Sequence, residues 1–234
     1  PENTGGWRRA TPAALGVDAA ALDAARAFHR DEQHFTRNYG GALLVIYRGQ
    51  VIVEDYVTGT EGGPQPWKVE TCNDIKSSTK SVFGTAAGVF LEEFKDRVTL
   101  ETRLIGTSRG NSLIPQIWDQ PLTDERKQAI KVKHALSMTA GHTSHEPWNA
   151  PAARRHTPGH SGAFQMFEYC FGWWSFDKVP AQEKLLFAPG AGWNYSNFGL
   201  EQLALAMKNL SGQPLGAYTY DRLLGPIGLP RAVR

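Results

Sequence analysis

The first periodic stretch of the chain predicts an amphipathic helix. Asp18 is a residue type that often caps helix N-termini, and the helical pattern after it continues to about Arg30. Leu22, Ala25 and Phe28 recur at a spacing of three, which places them on the same side of a helix. The pattern therefore predicts a helix that carries these three side chains on one face.

Two strand-like runs rich in Val, Ile and Tyr follow at residues 42–47 and 51–57. A short Gly-containing loop, Arg48-Gly49-Gln50, joins them, which is typical of a β-hairpin. The stretch Gly59–Pro66 is rich in Gly and Pro, which indicates a loop and a subdomain boundary. Because a two-stranded hairpin alone is marginal in water, its sheet needs either strands from sequence outside this chain or helices packed against it.

Downstream of this loop the pattern is helical. Residues 77–93 predict a helix with apolar residues on most sides, which is typical of a buried helix. Residues 130–138 predict a short helix, and residues 199–210 predict an amphipathic helix that Gly212 can end. Residues 218–224 predict one more helix, so this half of the chain is mostly α.

Composition and charge narrow the class of protein. The 234 residues include 11 Phe, 7 Trp and 7 Tyr, more than a disordered chain carries. The formal net charge is +2 and no stretch concentrates the Lys and Arg residues, which argues against a nucleic-acid binder. The longest apolar run, residues 42–47, is far shorter than the about 20 residues of a membrane-spanning helix. Cys72 and Cys170 lie in no Cys-x-x-Cys pair, which excludes a zinc ribbon or a thioredoxin-like site; they can be two free thiols or one disulfide.

Ser77 and Lys80 form the first candidate for catalytic chemistry. In Ser77-Ser78-Thr79-Lys80 the serine and the lysine stand at i and i+3, which are neighbours on one face of a helix. Serine is a poor nucleophile until a base removes its proton, and an adjacent lysine can act as that base. The N-terminus of the helix also favours a developing negative charge. A second Ser-x-x-Lys match at residues 175–178 stands just before Val179-Pro180, where helix is disfavoured, so Ser77 is the better candidate.

Tyr195 and Asn197 form the second candidate. Residues two apart in an extended loop point the same way. A tyrosinate can act as the general base where cations such as Lys80 stabilise it, and Asn197 can hold Lys80 or bind a substrate carbonyl. Pro189-Gly190 predicts a turn before the motif, and the helical pattern from residue 199 follows it.

These residues resemble the signatures of a known family. Ser77-Ser78-Thr79-Lys80 and Tyr195-Ser196-Asn197 look like the first two signatures of the serine β-lactamase and penicillin-binding-protein superfamily. Tyr-x-Asn in the second place is the version found in class C β-lactamases, D,D-peptidases and the related family VIII carboxylesterases. The segments IKVKHALSMTAGHTS and LLGPIGLP resemble further family segments, so the similarity covers roughly residues 40–230.

The resemblance implies an α/β (α+β) fold of the β-lactamase/D,D-peptidase type, in which an antiparallel sheet flanked by helices accompanies a mostly helical subdomain. On this chain it implies an N-terminal arm at residues 1–17 and a helix and hairpin of the α/β subdomain at residues 18–60. Residues 61–226 are expected to form the mostly helical subdomain, and residues 227–234 to begin the return to the α/β subdomain. The sheet is expected to be incomplete in this chain.

The same resemblance implies a role for each motif residue. Ser77 is the acylated nucleophile, and its backbone N–H is one donor of the oxyanion hole. Lys80 shares the serine proton and keeps Tyr195 poised as the base, and Tyr195 passes the proton to the leaving group. Asn197 orients Lys80 and the acyl substrate. No metal and no organic cofactor is implied.

The third signature of the family is missing. Neither Lys-Thr-Gly nor His-x-Gly occurs in residues 198–234. In the family this signature lies on a sheet strand that supplies the second oxyanion donor and binds the carboxylate side of the substrate. We therefore expect the chain to be the N-terminal part of a longer protein, whose C-terminal part is its expected partner. The resemblance slightly favours an exported protein, periplasmic or secreted.

An aromatic cluster and four histidines have competing interpretations. Residues 164–176 include seven aromatic residues, which are typical of core packing. By the resemblance they border the site instead, and Trp173 and Trp174 then bind an apolar acyl or aryl group. Four histidines lie in a Pro- and Gly-rich stretch and are expected to be solvated loop residues rather than metal ligands: His142, His145, His156 and His160.

The sequence therefore predicts a serine hydrolase that transfers an acyl group through acyl-Ser77, with water as the usual acceptor. A carboxylesterase acting on small esters is the first expectation, because aromatic surroundings suit uncharged acyl groups. A β-lactamase or D,D-peptidase is the alternative enzyme, and a non-catalytic binding protein of the same fold is the alternative class. The expected small-molecule partner is an acyl substrate; no nucleic acid is expected.

Overall fold

The computed structural model describes residues 6–31, 40–58, 67–68, 71, 75–119, 121–143, 184–229 and 231. The chain divides into two compact units, residues 1–74 (unit 1) and 75–234 (unit 2). The helices and strands are α1 (Ala19–Asp31), β1 (Gly41–Tyr47), β2 (Gln50–Val57), α2 (Thr79–Glu93), α3 (Val132–Leu136), α4 (Phe198–Ser211) and α5 (Leu215–Thr219). Short 3-10 turns lie at Ala13–Leu15, Lys76–Ser78, Arg109–Asn111, Pro115–Asp119 and Glu125–Ala129. A π-helical turn lies at Tyr220–Leu224. The subdomain limits given above at 60/61 and 226/227 stay predictions.

β1 and β2 form the antiparallel hairpin that the sequence predicts. Its turn consists of two residues instead of three, because Gln50 already pairs with Tyr47 as the first residue of β2. The two turn residues, Arg48 and Gly49, have φ values of 49° and 72°. Two consecutive positive φ values are typical of a type I′ turn, whose twist matches that of the flanking strands.

The sheet is incomplete in the described part of the chain, as predicted. β1 pairs there with β2 alone, while residues 8–10 run parallel to β2 beside Val51. Leu44 and Ile46 of β1 are both exposed, and so is Trp7. Apolar side chains of β1 are therefore accessible on one face of the hairpin, where Glu54 of β2 stands opposite Leu44.

Helix α1 begins where the sequence predicts, and near its end Arg30 pairs with β2. The Asp18 carboxylate accepts hydrogen bonds from the N–H groups of Ala20 and Ala21, which confirms it as the cap. Phe28, on the predicted apolar face, is 73% exposed. Arg30 forms two hydrogen bonds with the buried Asp55 of β2, at 2.8 and 2.5 Å, and this ion pair joins the helix to the hairpin.

Unit 2 carries the main hydrophobic core. Helix α2 contributes only one face to it, so the expectation that α2 is apolar and buried on most sides is wrong; Gly84 and Gly88 face solvent. The Phe90 ring packs edge-on against Tyr218, with ring centroids 6.1 Å apart. The buried members of the core are Ala86, Ala87, Phe90, Val98, Leu104, Ile105, Ile114, Ile117, Ile130, Val132, Ala135, Ala140, Leu185, Phe198, Leu203, Ala206, Met207 and Tyr218.

Helices α3 and α4 pack closely in this core. A Cβ atom at Gly199, in the first turn of α4, would lie 3.2 Å from the Cα atom of Ala135 in α3, so glycine allows this close approach. Helix α4 ends at Gly212 as predicted, with φ of 69°. The first turn of α4, which directly follows Asn197, is thereby held against α3. In the described part of the chain no helix is both long and apolar enough to cross a membrane.

Candidate active site

Ser77 and Lys80 lie at the N-terminal end of α2. Ser77 belongs to the short 3-10 turn Lys76–Ser78, and the α-helix proper begins two residues later, at Thr79. The Lys80 Nζ atom donates a hydrogen bond of 3.2 Å to the Ser77 Oγ atom. The Ser-x-x-Lys spacing thus places the two side chains in contact across the first helical turn.

The backbone just before Ser77 has an unusual conformation. Lys76 has φ of 49°, in the left-handed region that residues with a Cβ atom rarely adopt. The Ser78 N–H group donates to the Ile75 carbonyl at 3.0 Å across this bend. Such conformations cost about 1–3 kcal/mol and persist where the surrounding structure enforces them. Ser77 is therefore presented on a sharp, strained turn at the start of a helix.

Tyr195 completes the cluster from a distant part of unit 2. Its hydroxyl oxygen lies 2.6 Å from the Ser77 Oγ atom, although 118 positions separate the two residues in the chain. The Lys80 Nζ atom lies 5.1 Å from the centroid of the Tyr195 ring, within the range of a cation–π interaction. The structure thus brings Ser77, Lys80 and Tyr195 together, all three within unit 2.

The hydrogen bonds of this cluster suit removal of a proton from Ser77. Lys80 Nζ donates to the Ser77 Oγ atom, and either hydroxyl can be the donor between Ser77 and Tyr195, so in one arrangement the serine O–H group donates to the Tyr195 oxygen. A proton can then pass directly from Ser77 to Tyr195, with the lysine charge near both oxygens. This arrangement fits an activated serine nucleophile with an adjacent base.

Of the three remaining predicted site residues, the structure describes only Asn197. Asn197 directly precedes α4 and is half-buried, and Ser196 beside it accepts a hydrogen bond from the Phe198 N–H group. The predicted action of Asn197 on Lys80 stays a prediction. Trp173 and Trp174 lie outside the described residues.

His142 is buried, although the sequence predicts a solvated residue. It is 2% exposed, not solvated as expected, whereas His145, His156 and His160 lie outside the described residues. Its Nε2 atom lies 2.6 Å from the Nε2 atom of the buried Gln202 in α4. Its burial comes from a partner 60 positions away, which no local pattern signals. In the described part of the chain no three His, Cys, Asp or Glu side chains gather as a metal site would need.

The segment that leads to Tyr195 is anchored at its start by Asp124. The Asp124 carboxylate accepts hydrogen bonds from the backbone N–H group of Leu185 at 2.8 Å and from the Arg126 side chain at 2.7 Å. Arg126 in turn donates to the Leu185 carbonyl at 2.7 Å. Burial raises the pKa of Asp124, but these hydrogen bonds and that of the Arg126 backbone outweigh burial and lower it to about 2. The carboxylate thus remains charged while it holds residue 185 in place.

Comparison with known proteins places this geometry in a family. A family model described as Beta-lactamase matches residues 28–233, which is most of the chain. No curated protein matches the chain significantly.

Several solved structures share the fold. An octameric penicillin-binding protein homologue from Pyrococcus abyssi is 17% identical, with a TM-score of 0.63, and the match covers 91% of this chain and 43% of that one. EstCE1, described as a hydrolase with promiscuous acyltransferase activity, is 18% identical with a TM-score of 0.58, covering 89% and 52%. A D-amino acid amidase from Ochrobactrum anthropi is 16% identical with a TM-score of 0.59, covering 90% and 53%.

The chain spans about half the length of each of these structures. At these identities the likeness concerns the fold, and it confirms the predicted β-lactamase/D,D-peptidase-like architecture with an incomplete sheet. The family match, together with the Ser-x-x-Lys and Tyr-x-Asn segments that lie within it, confirms the resemblance drawn from the sequence. The chain therefore belongs to the β-lactamase family, within the superfamily of serine β-lactamases and penicillin-binding proteins.

Proposed function

We propose that the protein is a serine hydrolase that cleaves small esters through an acyl-Ser77 intermediate. The observation that carries the proposal is the cluster in which Ser77 Oγ lies 2.6 Å from the Tyr195 hydroxyl and 3.2 Å from Lys80 Nζ. A helix-capping serine and a solvated lysine would not require a tyrosine from 118 positions away to approach the same oxygen. Three groups that can share one proton around a serine oxygen suit acyl transfer.

The proposed reaction has two steps. With Tyr195 in its deprotonated form, the Ser77 Oγ atom forms a bond with the ester carbonyl carbon while its proton passes to the Tyr195 oxygen. When the C–O bond to the alcohol breaks, Tyr195 returns that proton to the departing alkoxide. Water then attacks the acyl-Ser77 carbonyl, giving one proton to Tyr195, and the serine leaves with that proton and regains its hydroxyl. Lys80 stabilises the negative charge on the tyrosine and serine oxygens, and the Ser77 N–H group donates to the oxyanion.

The surroundings of the cluster favour an uncharged acyl or alcohol group. Trp193 is 65% exposed two residues before Tyr195, and Ile75 is exposed two residues before Ser77. These accessible apolar side chains suit hydrophobic substrate groups better than charged peptide chains. We further propose that Trp173 and Trp174 line the acyl pocket and that Asn197 binds the substrate carbonyl.

Labelling with a fluorophosphonate probe tests the nucleophile directly. We expect one adduct on the protein at its natural length, mapped to Ser77 by peptide mass spectrometry and absent in Ser77→Ala. Lys80→Ala and Tyr195→Phe should slow labelling about 100- to 10,000-fold, the usual range for a lost general base. Ser81→Ala, which changes an exposed serine one position after Lys80, is the matched control and should label normally.

A panel of substrates then separates the activities. We expect turnover of p-nitrophenyl butyrate far above that of a chromogenic cephalosporin or of a D-alanyl-D-alanine peptide. The reverse order would make the protein a β-lactamase or D,D-peptidase. A folded protein of natural length that labels with no probe would be a non-catalytic binder. Trp173→Ala and Trp174→Ala should change the preference between acyl chain lengths more than they change the melting temperature.

A further inference from the structure

The loop at residues 138–142 holds the segment that ends at Tyr195. The carbonyl group of Gly141 accepts from the Leu186 N–H group at 2.8 Å, and that of Thr139 accepts from the Gly190 N–H group at 2.8 Å. The carbonyl group of Met138 accepts from the Asn194 N–H group at 3.1 Å. Three backbone hydrogen bonds thus fix this segment along its length, the last of them one residue before Tyr195.

His142 continues this contact on both sides of the Tyr-x-Asn motif. Before the motif, its carbonyl group accepts a hydrogen bond from the Asn194 side chain at 2.8 Å. After the motif, its imidazole ring meets the Phe198 ring edge-on, with centroids 5.9 Å apart and an interplanar angle of 79°. Its Nε2 atom pairs at 2.6 Å with Gln202, one helical turn further along α4. One residue therefore contacts the chain immediately before and immediately after residues 195–197.

The burial of these contacts makes the arrangement rigid. The His142, Phe198 and Gln202 side chains are all buried, so the imidazole–amide hydrogen bond lies away from water. A buried polar group that loses its partner costs about 1–3 kcal/mol, which keeps the ring and the amide in place. Tyr195 is 40% exposed, so packing of its own side chain supplies only part of its restraint.

We propose that His142, acting with Gln202, is a positioning residue that sets the Tyr195 hydroxyl against Ser77. This inference rests on the proposed function, in which Tyr195 accepts the serine proton. The Tyr195 oxygen and the Ser77 oxygen are 2.6 Å apart, so a displacement of about 1 Å breaks their hydrogen bond. A misplacement of that size typically costs about 100-fold in rate.

Two substitutions of His142 that differ in reach test the proposal. Glutamine carries its terminal polar atoms as many bonds from Cβ as the imidazole Nε2 atom, so His142→Gln can keep the bond to Gln202. Asparagine is one bond shorter, so His142→Asn cannot. We expect His142→Asn to lower kcat for p-nitrophenyl butyrate about 10- to 100-fold with KM within twofold, and His142→Gln to restore most of that loss.

A matched control separates positioning from stability. Tyr218→Phe removes another hydrogen bond of unit 2, the partly buried 2.8 Å bond from the Tyr218 hydroxyl to Glu93, at the far end of α2 from Ser77. All variants are assayed at a temperature where each is folded by circular dichroism. Tyr218→Phe should lower the melting temperature and leave kcat unchanged. If His142→Asn also keeps the wild-type kcat, or if His142→Gln loses as much kcat as His142→Asn, the proposal is wrong.

A readout that needs no turnover keeps the test independent of the proposed activity. 3-Fluorotyrosine introduced at position 195 alone reports the environment of that ring by ¹⁹F NMR. His142→Asn should shift or broaden the signal, and His142→Gln should return it to the wild-type position. An unchanged signal in His142→Asn would overturn the positioning role even if the enzyme is active. A wild type that cleaves no ester would overturn the proposed function, while the ¹⁹F spectra would still decide the positioning role.

Discussion

Replacing Asp124 by asparagine tests how strongly unit 2 holds the start of the Tyr195 segment. The substitution keeps the size of the side chain and removes its charge. It also puts an amide in place of a carboxylate that accepts from Leu185 and Arg126. Asp124 is only 7% exposed, so water compensates for little of the loss. The variant should therefore unfold more easily.

The pKa of Asp124 sets the size of the expected effect. The carboxyl has a pKa of about 2 in the folded chain against an ordinary value of 3.8. One pKa unit corresponds to about 1.4 kcal/mol, so the charged form stabilises the fold by about 2 kcal/mol at pH 7. Because the folded pKa is the lower one, this contribution is complete above about pH 5 and is lost as the pH falls towards 2. The difference between wild type and Asp124→Asn should shrink over the same range.

Urea unfolding followed by circular dichroism measures this difference at pH 7, 5 and 3. Asp119→Asn is the matched control, since Asp119 pairs with Arg109 on the surface and both side chains are more than half exposed. Exposed pairs contribute about 0–1 kcal/mol, so the control should change little. A loss below about 0.5 kcal/mol for Asp124→Asn at pH 7 would contradict the reasoning, as would a difference that stays constant down to pH 3.

Three further substitutions test other parts of unit 2. Lys76→Val should destabilise the fold by about 1–2 kcal/mol and slow fluorophosphonate labelling, because a β-branched residue tolerates φ of 49° poorly. Lys76→Asn should be tolerated, because asparagine adopts positive φ more readily. Equal stability of the two variants would show that the backbone at residue 76 is not strained. Gly141→Ala should lower both the melting temperature and the labelling rate, because its Cβ would lie 2.3 Å from the Phe187 carbonyl oxygen; a wild-type melting temperature would show that no such clash exists. Tyr218→Phe should cost about 1–2 kcal/mol in urea unfolding through its bond to Glu93, and a change in labelling rate would show that this bond also affects the site.

Features that depend on neighbours in sequence could be predicted well. The hairpin follows from two β-branched runs around Arg48-Gly49, and the start of α1 follows from Asp18, whose carboxylate bonds the first N–H groups of its own helix. The end of α4 follows from Gly212, which adopts the left-handed conformation. In each case the stabilising atoms lie within a few positions of one another, so the sequence pattern contains the whole interaction.

Features that depend on distant partners could not be predicted from a local pattern. The ion pair of Arg30 in α1 with Asp55 in β2 joins residues 25 positions apart, and no local pattern signals it. The burial of His142 could not be predicted, because its partner Gln202 is 60 positions away. For the candidate site, the resemblance supplied the pairing of Ser77 with Tyr195 that spacing alone did not.

The open side of the β1–β2 hairpin has a consequence for handling the protein. In the described part of the chain the outer edge of β1 has no strand partner, and its backbone N–H and C=O groups, together with the accessible Leu44 and Ile46, form a template on which another extended chain can pair. A solution of the 234-residue chain should therefore aggregate as its concentration rises and should bind a hydrophobic dye. Leu44→Lys or Ile46→Lys would be the natural solubilising change, since a charged side chain discourages edge-to-edge association.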